Sequence, residues 1–219
     1  MPAVPIAFID RPTEQAEMDA AAARGGLLVL FGRRRVAKPG LLRHWLEGRD
    51  GLYSQAIEAP RDFQIEQVFT DLAPRLETRL VPRTWPELFE VLSLQKRPWV
   101  LCLDELPYLT ATDPSLPSQL QKWIDHSFPR GCLLIVPGSI TRRMHDLFLH
   151  RAAPLFGSAR KILHVQPMDY PAFCAACDLP QAEAESFAKF ALVRGIPRYW
   201  EFVEPGQCVL ELAESLHFD

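Results

Sequence analysis

Short unbroken apolar runs alternate along this chain with segments of helical period. Leu27 to Phe31, Trp99 to Leu103 and Gly131 to Val136 are continuous apolar stretches, the pattern of strands buried on both faces. Leu52 to Ala59 and Lys161 to Val165 read as two further strands. Pro12 followed by Glu14 suits a helix start, and the alanine-rich stretch to Arg24 continues it until Gly25-Gly26. Pro39 to Glu47 repeats Leu41, Leu42 and Leu46 at helical spacing. Arg61 to Leu76 is predicted as a helix with Phe63, Ile65, Val68 and Phe69 on one side. Val81-Pro82 breaks the pattern, and Trp85 to Leu94 resumes it with Leu88, Val91 and Leu92 facing inward. Helices are also predicted from the turn at Pro114–Pro117 to about Ser127, and over Ile140 to Leu149. A short apolar segment, Ile6 to Arg11, precedes all of this.

Strands alternating with helices imply a mostly parallel sheet of five strands covered on both faces, an α/β fold in three layers. From Met168 onward the pattern is helical, with breaks at Pro180, Gly195-Ile196-Pro197 and Pro205-Gly206. The expected division is therefore an α/β core over residues 1–166 and the start of a helical lid over 167–219.

Composition narrows the class. At 219 residues, 48% hydrophobic and 23% charged, the chain can bury one good core. A net charge of -3 gives no general attraction for nucleic acid. No apolar run reaches the length of a membrane span, and the first residues lack the basic-then-apolar layout of a secretory signal. Five cysteines, with Cys102 and Cys132 inside apolar runs, fit reduced thiols, so the expected location is the cytoplasm.

Candidate chemistry begins where the first strand ends. Gly32-Arg33-Arg34-Arg35-Val36-Ala37-Lys38-Pro39 lies between a strand and a helix, the layout of a phosphate-binding loop. Such loops converge backbone N–H groups on an anion at a helix N-terminus, and the lysine reaches the outer phosphates. The third strand ends in Asp104-Glu105, at the edge where open α/β sheets place ligands. The fourth is followed by Gly138-Ser139, a small polar residue at the same level. Each feature alone has an ordinary explanation: a cap, a turn or solvated charge. Cys174 and Cys177 have metal-like spacing without a second ligand pair, so buried helical thiols are the favoured reading. His145 and His150, beside Arg142, Arg143 and Arg151, read as surface, with an arginine finger from Arg142 or Arg143 as the alternative.

Taken in order, six segments resemble the archaeal-type ATPases of the AAA+ and STAND P-loop group. They are Phe8-Ile9-Asp10-Arg11-Pro12-Thr13-Glu14, Phe31 to Pro39, Leu103-Asp104-Glu105, Gly138-Ser139, Pro154-Leu155-Phe156-Gly157 and Gly195-Ile196-Pro197-Arg198-Tyr199. The resemblance implies a P-loop NTPase fold using ATP and Mg²⁺. It would place Lys38 on the outer phosphates, Asp104 on magnesium through water, Glu105 as catalytic base and Ser139 as the sensor residue. Arg11, Gly195 and Pro197 would border the adenine, and Arg33 to Arg35 match the family's basic loop.

Two residues depart from that pattern. Pro39 stands where the family has a serine or threonine, so it offers neither a hydroxyl for Mg²⁺ nor an N–H for phosphate. Ala37 replaces a glycine and disfavours positive φ if the loop needs it there. Each lost charge-assisted hydrogen bond is worth roughly 1.5–3 kcal/mol. Family members also continue into a longer lid and a winged helix, and this sequence ends at Asp219, as a fragment or a shortened relative would. The expectation is an ATP-binding ATPase-like protein with impaired or lost hydrolysis. The alternative is a nucleotide-free scaffold for another protein or a separately encoded effector domain. DNA binding by this chain alone is disfavoured by its charge.

Overall fold

The computed structural model describes residues 11–139 and 142–216. The expected apolar segment before Arg11 and the residues Ile140 and Thr141 lie outside the described residues. The described chain falls into two compact units. One comprises 13–31 and 45–164; the other comprises 11–12, 32–44 and 165–216.

The first unit holds the sheet. Helix α1 (Pro12–Arg24) leads to β1 (Gly26–Gly32), and α2 (Lys38–Leu46), most of which is counted with the other unit, leads to β2 (Gly51–Gln55). Helix α3 (Arg61–Leu72), a 3-10 turn at Ala73–Arg75 and α4 (Trp85–Ser93) precede β3 (Val100–Asp104). Helices α5 (Leu106–Thr112) and α6 (Leu116–His126) precede β4 (Leu133–Ser139), and α7 (Arg142–Phe148) precedes β5 (Ala159–Val165). The five strands lie in the order β2-β3-β4-β1-β5. The described registers are parallel: Gly51 faces Val100 through to Gln55 facing Asp104, and Val100 faces Leu133.

Position in the sheet explains the apolar patterns. β1 and β4 are interior strands and are buried along nearly their whole length. β5 is an edge strand, and its residues alternate between half-buried and exposed. Helix α4 is capped by Thr84, whose hydroxyl accepts from the Glu87 amide, while Glu87 Oε2 accepts from the Arg83 amide at 2.8 Å. Its buried face feeds an aromatic stack on the sheet. Phe89 lies flat on Trp123 at 4.5 Å, and Trp123 continues to Trp99 at 6.2 Å. The indole of Trp123 donates to Ser93 Oγ at 2.9 Å and that of Trp99 to the Leu92 carbonyl at 3.1 Å.

Two local expectations change. Phe63 points to solvent, whereas Gln64 is buried. The Gln64 amide donates to the Ile57 carbonyl at 2.9 Å, and its oxygen accepts from the Thr112 hydroxyl at 2.6 Å. An extra helix, α5, stands directly after Asp104-Glu105.

The second unit packs its own smaller core. Helices α8 (Tyr170–Ala176), α9 (Ala184–Val193), α10 (Pro197–Trp200) and α11 (Val209–Ser215) enclose Phe173, Cys174, Val193, Trp200 and Leu212. Cys174 is thus a buried core thiol, and burial pushes the half-buried Cys177 up to about 11.

Candidate functional site

The loop after β1 closes on itself. Lys38 opens α2 and is 7% exposed. Its Nζ donates to the carbonyls of Gly32 at 3.0 Å and Arg33 at 2.9 Å. The ammonium therefore sits inside the loop, its charge balanced in part by carbonyl dipoles. The Ala37 carbonyl accepts the first helical bond, from Leu41 N at 3.0 Å, which makes Ala37 the residue that caps α2.

Ala37 lies at φ +61°. The loop does need positive φ at that position, and an alanine supplies it at a cost a glycine would avoid. Arg35 is also left-handed, at φ +68°. Pro39 harms the helix little, because an amide in the first turn has no helical acceptor in any case. It does remove one of the few amides that could face an anion there. A Cβ at Gly32 would come within 2.9 Å of the Val165 carbonyl, so backbone packing alone already demands glycine here.

Within the same unit the loop is tied to the helical segment. Arg11 is 5% exposed, and its guanidinium donates to the Val36 carbonyl at 3.2 Å and the Gln166 carbonyl at 3.0 Å. Arg35 Nη1 donates to the Tyr199 hydroxyl at 3.0 Å, with its guanidinium 5.4 Å from that ring's centre. Arg33 and Arg34 are exposed. Gly195 accepts from the Met168 amide at 2.9 Å, and any side chain at Gly195 would overlap the Met168 carbonyl. Pro197 opens α10 and is buried. Trp200 Nε1 donates to the Arg194 carbonyl at 2.6 Å, which fixes this turn from its other side.

The acid pair belongs to the sheet unit. Asp104 ends β3 and is 5% exposed. Its Oδ2 accepts from the Tyr53 hydroxyl at 2.9 Å and its Oδ1 from the Glu105 amide at 2.9 Å. Glu105 is half-buried and left-handed, at φ +58°, and starts α5. That strained residue turns the chain sharply between strand and helix. Ser139, half-buried, ends β4, and β4 runs parallel to β3, so both strands finish at the same edge of the sheet.

Sequence reasoning missed Tyr53, Tyr199 and Gln166 as partners of the candidate residues. The strand register would have found Tyr53. Tyr53 pairs with Cys102 and Gln55 with Asp104, so Tyr53 shares a face with Asp104 one diagonal step away. Among the described residues no group of three or more His, Cys, Asp and Glu side chains could hold a metal ion. No described helix is long and apolar enough to cross a membrane.

The fold is shared with solved ATPases, among them a Walker-type ATPase, an ORC protein and a STAND protein. The Walker-type ATPase of Pyrococcus abyssi superimposes with a TM-score of 0.72 at 19% identity, covering 95% of this chain and 71% of that one. The ORC2 protein of Aeropyrum pernix in its ADP form matches with a TM-score of 0.59 at 13% identity, covering 99% of this chain and 66% of that one. In sequence, an uncharacterized protein of Methanocaldococcus jannaschii is 25% identical over 201 residues, 90% of this chain. The chain spans 44% of that relative's length. No protein-family model matches the chain.

Proposed function

We propose that this chain is an ATP-binding protein of the P-loop type in which hydrolysis is weak or lost. The observation that carries the reading is the loop from Gly32 to Pro39. It keeps the buried lysine and the helix start, yet places alanine at a positive-φ position and proline where a hydroxyl is needed. Residues 167–219 act as the start of its helical lid, and the place of action is the cytoplasm.

These residues fit a phosphate better than they fit a metal ion. Lys38 can turn its ammonium from two loop carbonyls to a phosphate, exchanging dipoles for a full negative charge. Arg35 can follow, since its hold on Tyr199 is exposed. Position 39 offers no side-chain hydroxyl for Mg²⁺. Magnesium would depend on Asp104 through water, with Glu105 as base and Ser139 as the polar contact. When bound, Mg²⁺ would neutralise phosphate charge. The ADP form of the Aeropyrum pernix protein supports nucleotide as the ligand of this fold.

One observation favours a second reading, a scaffold that has given up nucleotide. Both oxygens of Asp104 already have donors, Tyr53 and the Glu105 amide. That scaffold would serve another protein or an effector domain.

A melting scan of the intact chain with ATP and with ADP, each with and without Mg²⁺, separates the two. A ligand at a hundred times its Kd adds about 2.7 kcal/mol to stability. The first reading expects a rise in Tm with ATP that is nearly independent of Mg²⁺ and is absent in Lys38→Ala. No rise at millimolar nucleotide leaves the scaffold.

A further inference from the structure

The amino-terminal end of the sheet carries a second, differently built cleft. It has a volume of about 390 Å³ and lies where α1 meets β1, between the turn before β4 and the start of β5. Arg24, Arg130 and Arg160 line it, and no aspartate or glutamate does. None of the three arginines makes an ion pair or a side-chain hydrogen bond among the described residues. By contrast Lys161, next to Arg160, is paired with Glu17 at 2.6 Å and is not among the cleft's lining residues.

The cleft is held in shape by its glycines and an aromatic wall. Gly26 lies at φ +101°, and a Cβ there would meet Arg160 Cδ at 2.8 Å. The aliphatic part of Arg160 therefore crosses the bare backbone at the start of β1, which restricts where its guanidinium can go. Phe128 forms one wall and is itself fixed edge-on against Trp99 at 5.6 Å and Trp123 at 4.9 Å. The pair Gly25-Gly26, legible in the sequence only as a helix stop, is thus part of a surface feature as well.

Three guanidinium groups around one concavity repel each other, and an anion reverses the sign of that interaction. Guanidinium groups match phosphate oxygens in paired, planar geometry. The size of the cleft is that of a small-molecule site, and a flat ring can lie against Phe128. A net charge of -3 argues against a long nucleic acid as the occupant. We propose that Arg24, Arg130 and Arg160 form a binding site for the phosphate of a small phosphorylated molecule that carries an apolar or aromatic group. This site is independent of the loop at Lys38.

The test titrates inorganic phosphate and phenyl phosphate into the intact chain while amide resonances are followed. Saturable shifts at the amides of Gly25, Gly26 and Gly131 are expected, with phenyl phosphate about tenfold tighter than phosphate. Affinity should fall about tenfold or more in Arg130→Gln/Arg160→Gln and stay unchanged in Lys38→Ala. Equal affinity of the two ligands would assign the site to free phosphate and overturn the aromatic part. No glycine shifts at millimolar ligand, or binding lost in Lys38→Ala, overturns the site itself. A DNA or RNA oligonucleotide that displaces phenyl phosphate at micromolar concentration overturns the small-molecule assignment. The glycine shifts in the unaltered chain stand whether or not the double variant folds.

Discussion

The Tyr53 hydroxyl donates to Asp104 Oδ2 at 2.9 Å, linking β2 to the acid that ends β3. Asp104 is nearly fully buried, so this bond satisfies an acceptor that water reaches poorly. Tyr53→Phe leaves the ring and removes only that donor. The expected loss is about 1.5 kcal/mol, or roughly 3–6 °C in Tm for a chain of this size. Thermal and urea unfolding both measure it. An unchanged midpoint in both would show that the hydroxyl is not needed to hold Asp104.

The contrast between Tyr53 and Asp104 shows what the sequence made legible. Asp104 stands out because an unbroken apolar run ends on it. Tyr53 carries no local mark, and its role follows only from the register Tyr53–Cys102 and Gln55–Asp104. The same division recurs elsewhere. The interior strands were readable because burial on both faces leaves nothing but apolar residues, as in Leu27 to Phe31. The helical period turns Phe63 inward, but Gln64 takes the buried place because Ile57 and Thr112 satisfy its amide, a distant arrangement that the period does not encode. Helix α5 leaves little mark in the sequence, because it is only seven residues long and carries Pro107, Thr110 and Thr112, although proline fits a first helical turn. The Arg35–Tyr199 contact joins residues 164 apart and leaves no trace in spacing.

Ala37 makes a prediction about the loop in the absence of any ligand. An L-residue in the left-handed region costs on the order of 1 kcal/mol, and glycine removes most of that penalty. Ala37→Gly is therefore expected to hold or raise stability, even though glycine also gains freedom in the unfolded chain. Ala→Gly changes inside a helix go the other way. Parallel urea titrations of Ala37→Gly and of Ala22→Gly, inside α1, give the comparison. If both lose stability equally, the positive φ at Ala37 is not a source of strain.

Pro39→Thr returns an amide and a hydroxyl to the first turn of α2 in one step. Proline fixed the backbone there in a helical conformation that threonine also adopts, so the fold should change little. A recovered hydrogen bond to a charged group is worth roughly 1.5–3 kcal/mol, about tenfold or more in affinity. ATP affinity should rise in Pro39→Thr, and the rise should be larger with Mg²⁺ than without, because the hydroxyl acts only through the metal. Equal gains with and without Mg²⁺ would credit the amide alone. No gain at all would mean that the loop does not meet phosphate as proposed.

Asp113 gives the stability a defined dependence on acid. It is buried after α5, where burial pushes its carboxyl up. The Ser115 hydroxyl and amide, at 2.5 and 3.0 Å, and Arg61 at 2.8 Å outweigh that burial and hold it below its ordinary value. A carboxylate with a lowered folded-state pKa adds stability above the unfolded value of about 4 and loses it as pH falls through the folded one. Asp113→Asn keeps the shape and an acceptor for the Ser115 amide, so it isolates the charge. The variant should be less stable than the native chain at pH 7 and pH 5, and the gap should close as pH falls below about 4. Urea midpoints for the two chains across that range decide it. A gap that stays constant down to acid would assign the effect to packing and remove Arg61 and Ser115 from the account.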